Sequence, residues 1–206
     1  MTIRLHRGDL PDQDLKRYTD SAAIDTETMG LNPHRDRLCV VQMSSGDGSA
    51  DVIQIAQGQR DAPNLKKLLA DPNIVKIFHF ARFDLAALNN AFGVMPQPVY
   101  CTKIASRLSR TYTDRHGLKD LVREILNIDL SKQQQSSDWG SQALSDAQLT
   151  YAASDVLHLH GLRARLDAML AREGRTDLAR ACVEFLPARA KLDLSGWEAE
   201  DIFAHS

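Results

Sequence analysis

Residues 22–27 read Ala22-Ala23-Ile24-Asp25-Thr26-Glu27, an apolar run that ends in two acids spaced two apart. Side chains two apart on a β-strand share a face, so Asp25 and Glu27 are expected to project together from the end of a buried strand. Taken alone, such a pair also fits a solvated strand edge; the apolar flank is what carries Asp25 toward the interior. Outward from this stretch, Leu38-Cys39-Val40-Val41 and Val52-Ile53 are short runs rich in β-branched residues that read as neighbouring strands. Asn32-Pro33-His34-Arg35-Asp36 and Gly46-Asp47-Gly48 supply the turns between them. A helix over Pro63–Leu69 precedes another buried strand, Ile74-Val75-Lys76-Ile77-Phe78, and then a helix from Phe83 to Ala91 ended by Gly93.

Beyond Pro98 the pattern turns helical. Leu118, Leu121, Val122 and Ile125 recur at helical spacing, as do Leu149, Ala152, Val156, Leu159 and Leu166, which predict one long helix. Ser145-Asp146-Ala147-Gln148 has the form of a capping box at its start. Strands first and helices later, with helices interleaved, predict an α/β domain around a mixed sheet. From Thr176 a helical tail is expected, interrupted at Pro187 and Gly196. The expected organisation is therefore one domain over residues 1–175 and a C-terminal tail over 176–206.

A chain of 206 residues buries a real core without disulfides. Its three cysteines, Cys39, Cys101 and Cys182, show neither metal-binding spacing nor a disulfide framework, so reduced thiols in a cytoplasmic protein are the simplest reading. The N-terminus lacks a signal peptide's apolar stretch, and no run approaches the roughly 18 apolar residues of a membrane helix. A net charge of −2 and a pI of about 6.4 argue against a protein that coats long nucleic acid, which relies on a basic surplus.

Two further carboxylates join the first pair. Tyr151-Ala152-Ala153-Ser154-Asp155 places a phenol and an acid one helical turn apart on one face, at the edge of the buried stripe; taken alone, the pair also fits a Tyr packed partly in the core with Asp155 at the surface. Asp84 follows the strand 74–78 within the opening of a helix, where an Asp is also at home for reasons of helix polarity. Were the four carboxylates to share one site they would repel, so either some would take up protons or cations would bind among them, and an all-oxygen ligand set suits Mg²⁺ or Mn²⁺ rather than Zn²⁺.

The ordered pattern of a strand Asp-x-Glu, an Asp after a central strand and a helical Tyr-x-x-x-Asp resembles the DEDD superfamily of 3′–5′ exonucleases, tyrosine branch. His116-Gly117-Leu118-Lys119-Asp120-Leu121 and Ser137-Asp138-Trp139 resemble ribonuclease D, and the likeness runs from about Ala22 to Leu166. The resemblance implies a ribonuclease H-like mixed sheet flanked by helices. It further implies two-metal phosphodiester hydrolysis that releases 5′-mononucleotides, with two Mg²⁺ or Mn²⁺ ions per active site. Asp25, Glu27 and Asp155 would hold the ion that carries the nucleophilic water, Asp25 would bridge to the second, Asp84 would act on that ion through water, and Tyr151 would orient the attacking water. The histidine branch uses His-x4-Asp, a spacing that His79 and Asp84 share, but these two stand too early in the chain and would leave Tyr151 and Asp155 idle.

Substrate contacts are expected from several residues. Met29 and Leu31 pack against a terminal base or in the core. His79 meets substrate or is a strand-end residue satisfied locally, and Arg82, near Asp84, offsets the site's negative charge. Residues 101–132 carry seven Lys and Arg against four acids, a phosphate path or a solvated helical face; Lys132 stands where the family has a basic residue before Ser-Asp-Trp. Bacterial ribonuclease D carries further helical domains, for which this sequence has no length. The tail, with Cys182-Val183-Glu184-Phe185-Leu186-Pro187-Ala188-Arg189 and Trp197, Ile202 and Phe203, resembles the compact nano-RNase C branch, which degrades very short RNA. That resemblance implies short single-stranded RNA, or DNA as well, as substrate, and a homo-oligomer in the form of an eight-subunit ring.

Overall fold

A computed structural model describes residues 2–131, 133, 134 and 136–205; Lys132 lies outside the described residues. Six strands, β1 (Thr2–Arg7), β2 (Ser21–Thr28), β3 (Leu38–Ser44), β4 (Ser49–Gln54), β5 (Val75–Phe78) and β6 (Val99–Cys101), form one sheet in the order β1-β4-β3-β2-β5-β6. The β2–β3 and β3–β4 pairs are antiparallel, while β1–β4, β2–β5 and β5–β6 are parallel. The mixed α/β sheet expected from the sequence is thus present, with helices on both faces. Among the described residues no helix is long and apolar enough to cross a membrane.

Alternation along the strands sorts the core into two layers. Ala22 and Ile24 of β2, with Val41, Met43 and Ile53, face a cluster built with α2 (Pro63–Ala70) and α3 (Ala81–Phe92). Ala23, Ala50 and Ile77 face the other way, onto α4 (Thr102–Ser109), α5 (Leu118–Leu126), α6 (Asp146–Leu157) and α7 (Leu159–Arg172). Gly93 closes α3 in the left-handed conformation, φ 70°, that a missing Cβ permits. The capping box at Ser145 is present, with the Ser145 hydroxyl accepting from Gln148 N and the Gln148 side chain accepting from Ser145 N.

Two helix expectations need correction, and two strands went unread. The single long helix is two, because His158 departs from helical geometry between α6 and α7. Val156, Leu159 and Leu166 lie in one apolar cluster, so the periodicity runs through the break undisturbed. Pro187 does not interrupt α8 (Thr176–Leu194), since Leu186 and Ala190 on either side of it are buried in the main core. The strand β1 was not foreseen because its side chains serve charge as much as burial. His6 meets the buried Asp51 at 2.8 Å, and Asp51 also accepts from the Tyr18 hydroxyl at 2.6 Å and from Arg17. The three-residue β6 follows Pro98 too closely to register as a strand.

Arg82 does not face the acids. Its guanidinium donates to both carboxylate oxygens of Asp193 on α8, at 2.5 and 2.7 Å, and to the carbonyl of Glu198 at 2.8 Å. Arg189 meets the same carboxylate and the carbonyls of Trp197 and Glu200. Two arginines sharing one acid therefore tie the last turn of α8 and the segment after it to the first turn of α3.

Candidate active site

The site forms where β2 outruns its neighbour. β2 pairs with β5 only over Ser21–Ala23, so Asp25 and Glu27 stand beyond the point where the chain leaves β5 and turns into α3. Both project onto the α6 face, and α6 brings Asp155 to them: carboxylate oxygens of Asp25, Glu27 and Asp155 lie within 4.8 Å of one another. Thr26 points to the opposite face, where its hydroxyl donates to Asp84 Oδ1 at 2.6 Å. Asp84 is buried at 2% exposure, behind the three rather than among them. The structure therefore brings all four acids to one place, from both faces of the sheet.

Burial and mutual repulsion show in their proton affinities. Burial first of all pushes Asp25 up to about 7. Burial, then the charges of Asp25, Asp155 and Asp84, push Glu27 up to about 9. Burial and Asp25 push Asp155 up to about 8, and Asp84 is raised well above the carboxylate range for the same two reasons. A carboxylate-only set with its charge this poorly solvated is suited to a hard divalent cation.

Gln42, which the sequence reading passed over, holds the central acid. It sits opposite Asp25 in the antiparallel register, is fully buried, and donates from Nε2 to Asp25 Oδ2 at 2.6 Å. A glutamine inside the buried run Leu38–Ser44 is the signal that could have found it, since a buried amide needs a partner. Gln42→Leu is expected to keep the fold but raise the Mg²⁺ concentration for half-maximal activity by about 10- to 100-fold, the usual cost of losing a group that orients a ligand. Metal titration of the variant checks this, and an unchanged metal requirement would remove Gln42 from the site.

A cavity of about 700 Å³ opens over the acids, lined by Asp25, Glu27, Asp155 and Tyr151, and by Met29, Leu31, His79, Phe80, Lys103, Lys119 and Trp139. Met29 and Leu31 are 53% and 84% exposed, so they stand in the cavity rather than in the core. Tyr151 lies with its ring centroid 6.0 Å from that of Trp139, and its hydroxyl stands beside the Asp155 carboxylate. Burial, then the charges of Asp155, Glu27 and Asp25, hold the phenol above its usual range. His79 lines the cavity, but its Nδ1 lies 2.9 Å from Thr102 Oγ1, and burial lowers the imidazole to about 3. Of the basic segment, Lys103 and Lys119 reach the cavity, whereas Arg110 is fully buried against Glu124 and Arg123 pairs with Asp120.

The sequence matches the 3′–5′ exonuclease family over residues 13–171. It is 38% identical over 152 residues to ribonuclease D of Granulibacter bethesdensis, covering 74% of this chain and 38% of that protein. The chain thus spans under half the length of the curated ribonuclease D relatives it matches, such as this one. Among solved structures, Brucella melitensis NrnC with bound Mg²⁺ is 65% identical with a TM-score of 0.96, and the same protein bound to pGG is 66% identical with a TM-score of 0.97; both cover 100% of each chain. Escherichia coli RNase D, an exoribonuclease involved in structured RNA processing, is 26% identical with a TM-score of 0.80 over 93% of this chain and 51% of its own. The chain belongs to the DEDD 3′–5′ exonucleases, in the ribonuclease D-like tyrosine branch that includes nano-RNase C.

Proposed function

We propose that this protein is a divalent-metal-dependent 3′–5′ exoribonuclease that degrades short RNA, dinucleotides included, to 5′-mononucleotides. The observation that carries the reading is the meeting of Asp25, Glu27 and Asp155 at the floor of an open cavity with the Tyr151 hydroxyl beside them. The Mg²⁺ and pGG found with Brucella melitensis NrnC support it.

Asp25, Glu27 and Asp155 would hold one Mg²⁺ or Mn²⁺, and Asp25 and Asp84 would serve a second. Such a pair supplies positive charge to the attacking and leaving oxygens of an in-line displacement at phosphorus. Thr26 fixes the Asp84 carboxylate, and Gln42 fixes that of Asp25. Tyr151, kept protonated, orients the attacking water without removing its proton. Met29 and Leu31 offer apolar surface to the terminal base, His79 shapes the wall of the cavity as a neutral group, and Lys132 stays a candidate phosphate contact.

Trimming of structured RNA in the manner of ribonuclease D, or action on DNA as well, is the second reading, favoured by the ribonuclease D relatives. Incubation with Mn²⁺ and labelled RNA and DNA from two to twenty nucleotides, with products resolved over time, separates the two. Faster cleavage of dinucleotides than of longer RNA supports the first reading, and the reverse order supports the second. No hydrolysis with any metal overturns both.

The protein works as a cytoplasmic homo-oligomer, an eight-subunit ring whose confined interior excludes long structured RNA. Trp197, Ile202 and Phe203 are 45%, 42% and 74% exposed, and apolar residues left open in this way mark an interface. Truncation before Trp197 is expected to yield smaller species by light scattering. With few phosphates engaged, affinity is expected to fall with salt at a slope of about 1–2 in magnitude. A wild-type monomer with a steep slope would overturn the ring.

A further inference from the structure

The chain passes from β5 into α3 through Phe80, whose φ of 66° and ψ of 45° lie in the left-handed region. That conformation strains most residues with a Cβ, asparagine and aspartate least, and is free of steric cost for glycine. The turn itself needs only the backbone, yet an aromatic residue occupies it. Phe80 is 46% exposed and, among the described residues, belongs to none of the three apolar clusters. It lines the same cavity as the carboxylates, and Lys103 Nζ stands 4.3 Å from its ring centroid. Strain of this kind persists where the side chain serves a site. An exposed ring beside a cation has the composition of a single-stranded nucleic-acid contact, in which bases stack on aromatic faces and a cation meets the flanking phosphate.

We infer that Phe80 is a stacking platform for a nucleobase of the substrate and that Lys103, against the same ring, meets the adjoining phosphate. The inference rests on the exonuclease reading and adds a specificity element to it. Among the described residues Lys103 pairs with the Phe80 ring and forms no ion pair with the acids, so loss of either residue weakens substrate binding and leaves the chemical step intact. The residue at position 80 sets how well a base is held, whichever base it is, because every base has a stacking face.

The test uses the full-length protein and an RNA dinucleotide that contains 2-aminopurine, whose fluorescence is quenched on stacking, titrated in Ca²⁺ with cleavage checked to be absent. Wild type is expected to bind with quenching. Phe80→Gly and Phe80→Asn, both at ease in the left-handed conformation, are expected to stay folded, to lose the quenching and to bind about 5- to 150-fold more weakly. Phe80→Tyr is expected to restore both signals, which a purely structural role at this turn would not require. Lys103→Met is expected to retain quenching and to lower the salt slope by about 0.7. Phe80→Gly binding and quenching like wild type, or Phe80→Tyr as weak as Phe80→Gly, would overturn the inference while leaving the exonuclease reading in place. Failure of the wild type to bind the probe would overturn the short-RNA reading and this inference with it.

Discussion

Asp25→Asn is expected to give a folded protein whose hydrolysis is reduced by at least about 10³-fold, a loss on the scale of removing a principal electrostatic group. The asparagine accepts from Gln42 as the aspartate does, so the local fold has no reason to change. What disappears is the charge that the other three acids surround. EDTA is expected to reproduce the loss in the wild type, and Mg²⁺ or Mn²⁺ to reverse it there but not in the variant. Stability should move the opposite way. Asp25, Asp155 and Glu27 have folded-state values raised to about 7, 8 and 9. Without metal, the folded protein therefore holds protons that the unfolded chain has released. The stabilisation from those protons is fully present below the ordinary carboxylate range, near pH 4, and is lost as pH rises through 7 to 9. Metal-free wild type is thus expected to melt lower at pH 8 than at pH 5, and Asp25→Asn, with one buried acid fewer, to show a smaller drop. Melting curves in EDTA at the two pH values check the sign. Wild-type hydrolysis by Asp25→Asn, or an equal drop in both proteins, would defeat the account of the site as a charge trap for cations.

How much of this was legible depended on whether one chain segment carried the whole signal. Asp25 and Glu27 were legible because strand alternation and an apolar flank lie within six residues. Tyr151 and Asp155 were legible because one helical turn fixes their relation. The sheet class followed from the same short runs. Gln42 and Thr26 escaped notice because their roles exist only across elements: one acts through the antiparallel register of β2 and β3, the other through the packing of α3 on the far face. Arg82 was misread for a related reason. Two residues from Asp84 in sequence, it points away from the acids because the helix turns its side chain toward Asp193, an acid 111 positions later. Phe80 gave no sequence signal at all, since left-handed backbone at a phenylalanine is invisible in composition or periodicity. The tail divided in two. Its helix through Leu194 is built into the core, while Trp197, Ile202 and Phe203 remain at the surface.

Tyr151→Phe isolates the remaining element of the chemistry, the hydroxyl that faces the acids. The substitution keeps the ring and hence its packing against Trp139, at 6.0 Å between centroids, so the fold and the cavity wall should survive. It removes the hydroxyl beside Asp155, the group that orients water. Burial and three nearby carboxylates hold the phenol of the metal-free protein above its ordinary range, which suits Tyr151 to donating a hydrogen bond to the water rather than to taking its proton. The expected result is a kcat lower by about 10²- to 10⁴-fold, the range for loss of a group that positions a proton transfer, with KM and the metal requirement little changed. Any change in the pH dependence of the rate should come through Asp155, whose proton affinity the Tyr151 hydroxyl lowers. His79→Ala offers the contrast. His79 is neutral and held by Thr102, so its loss should cost far less in kcat and appear chiefly in KM. Steady-state kinetics of the two variants side by side decide the matter. If His79→Ala proves the more damaging in kcat, or if Tyr151→Phe turns over like wild type, the attacking water is held by another group and the role given to Tyr151 is wrong.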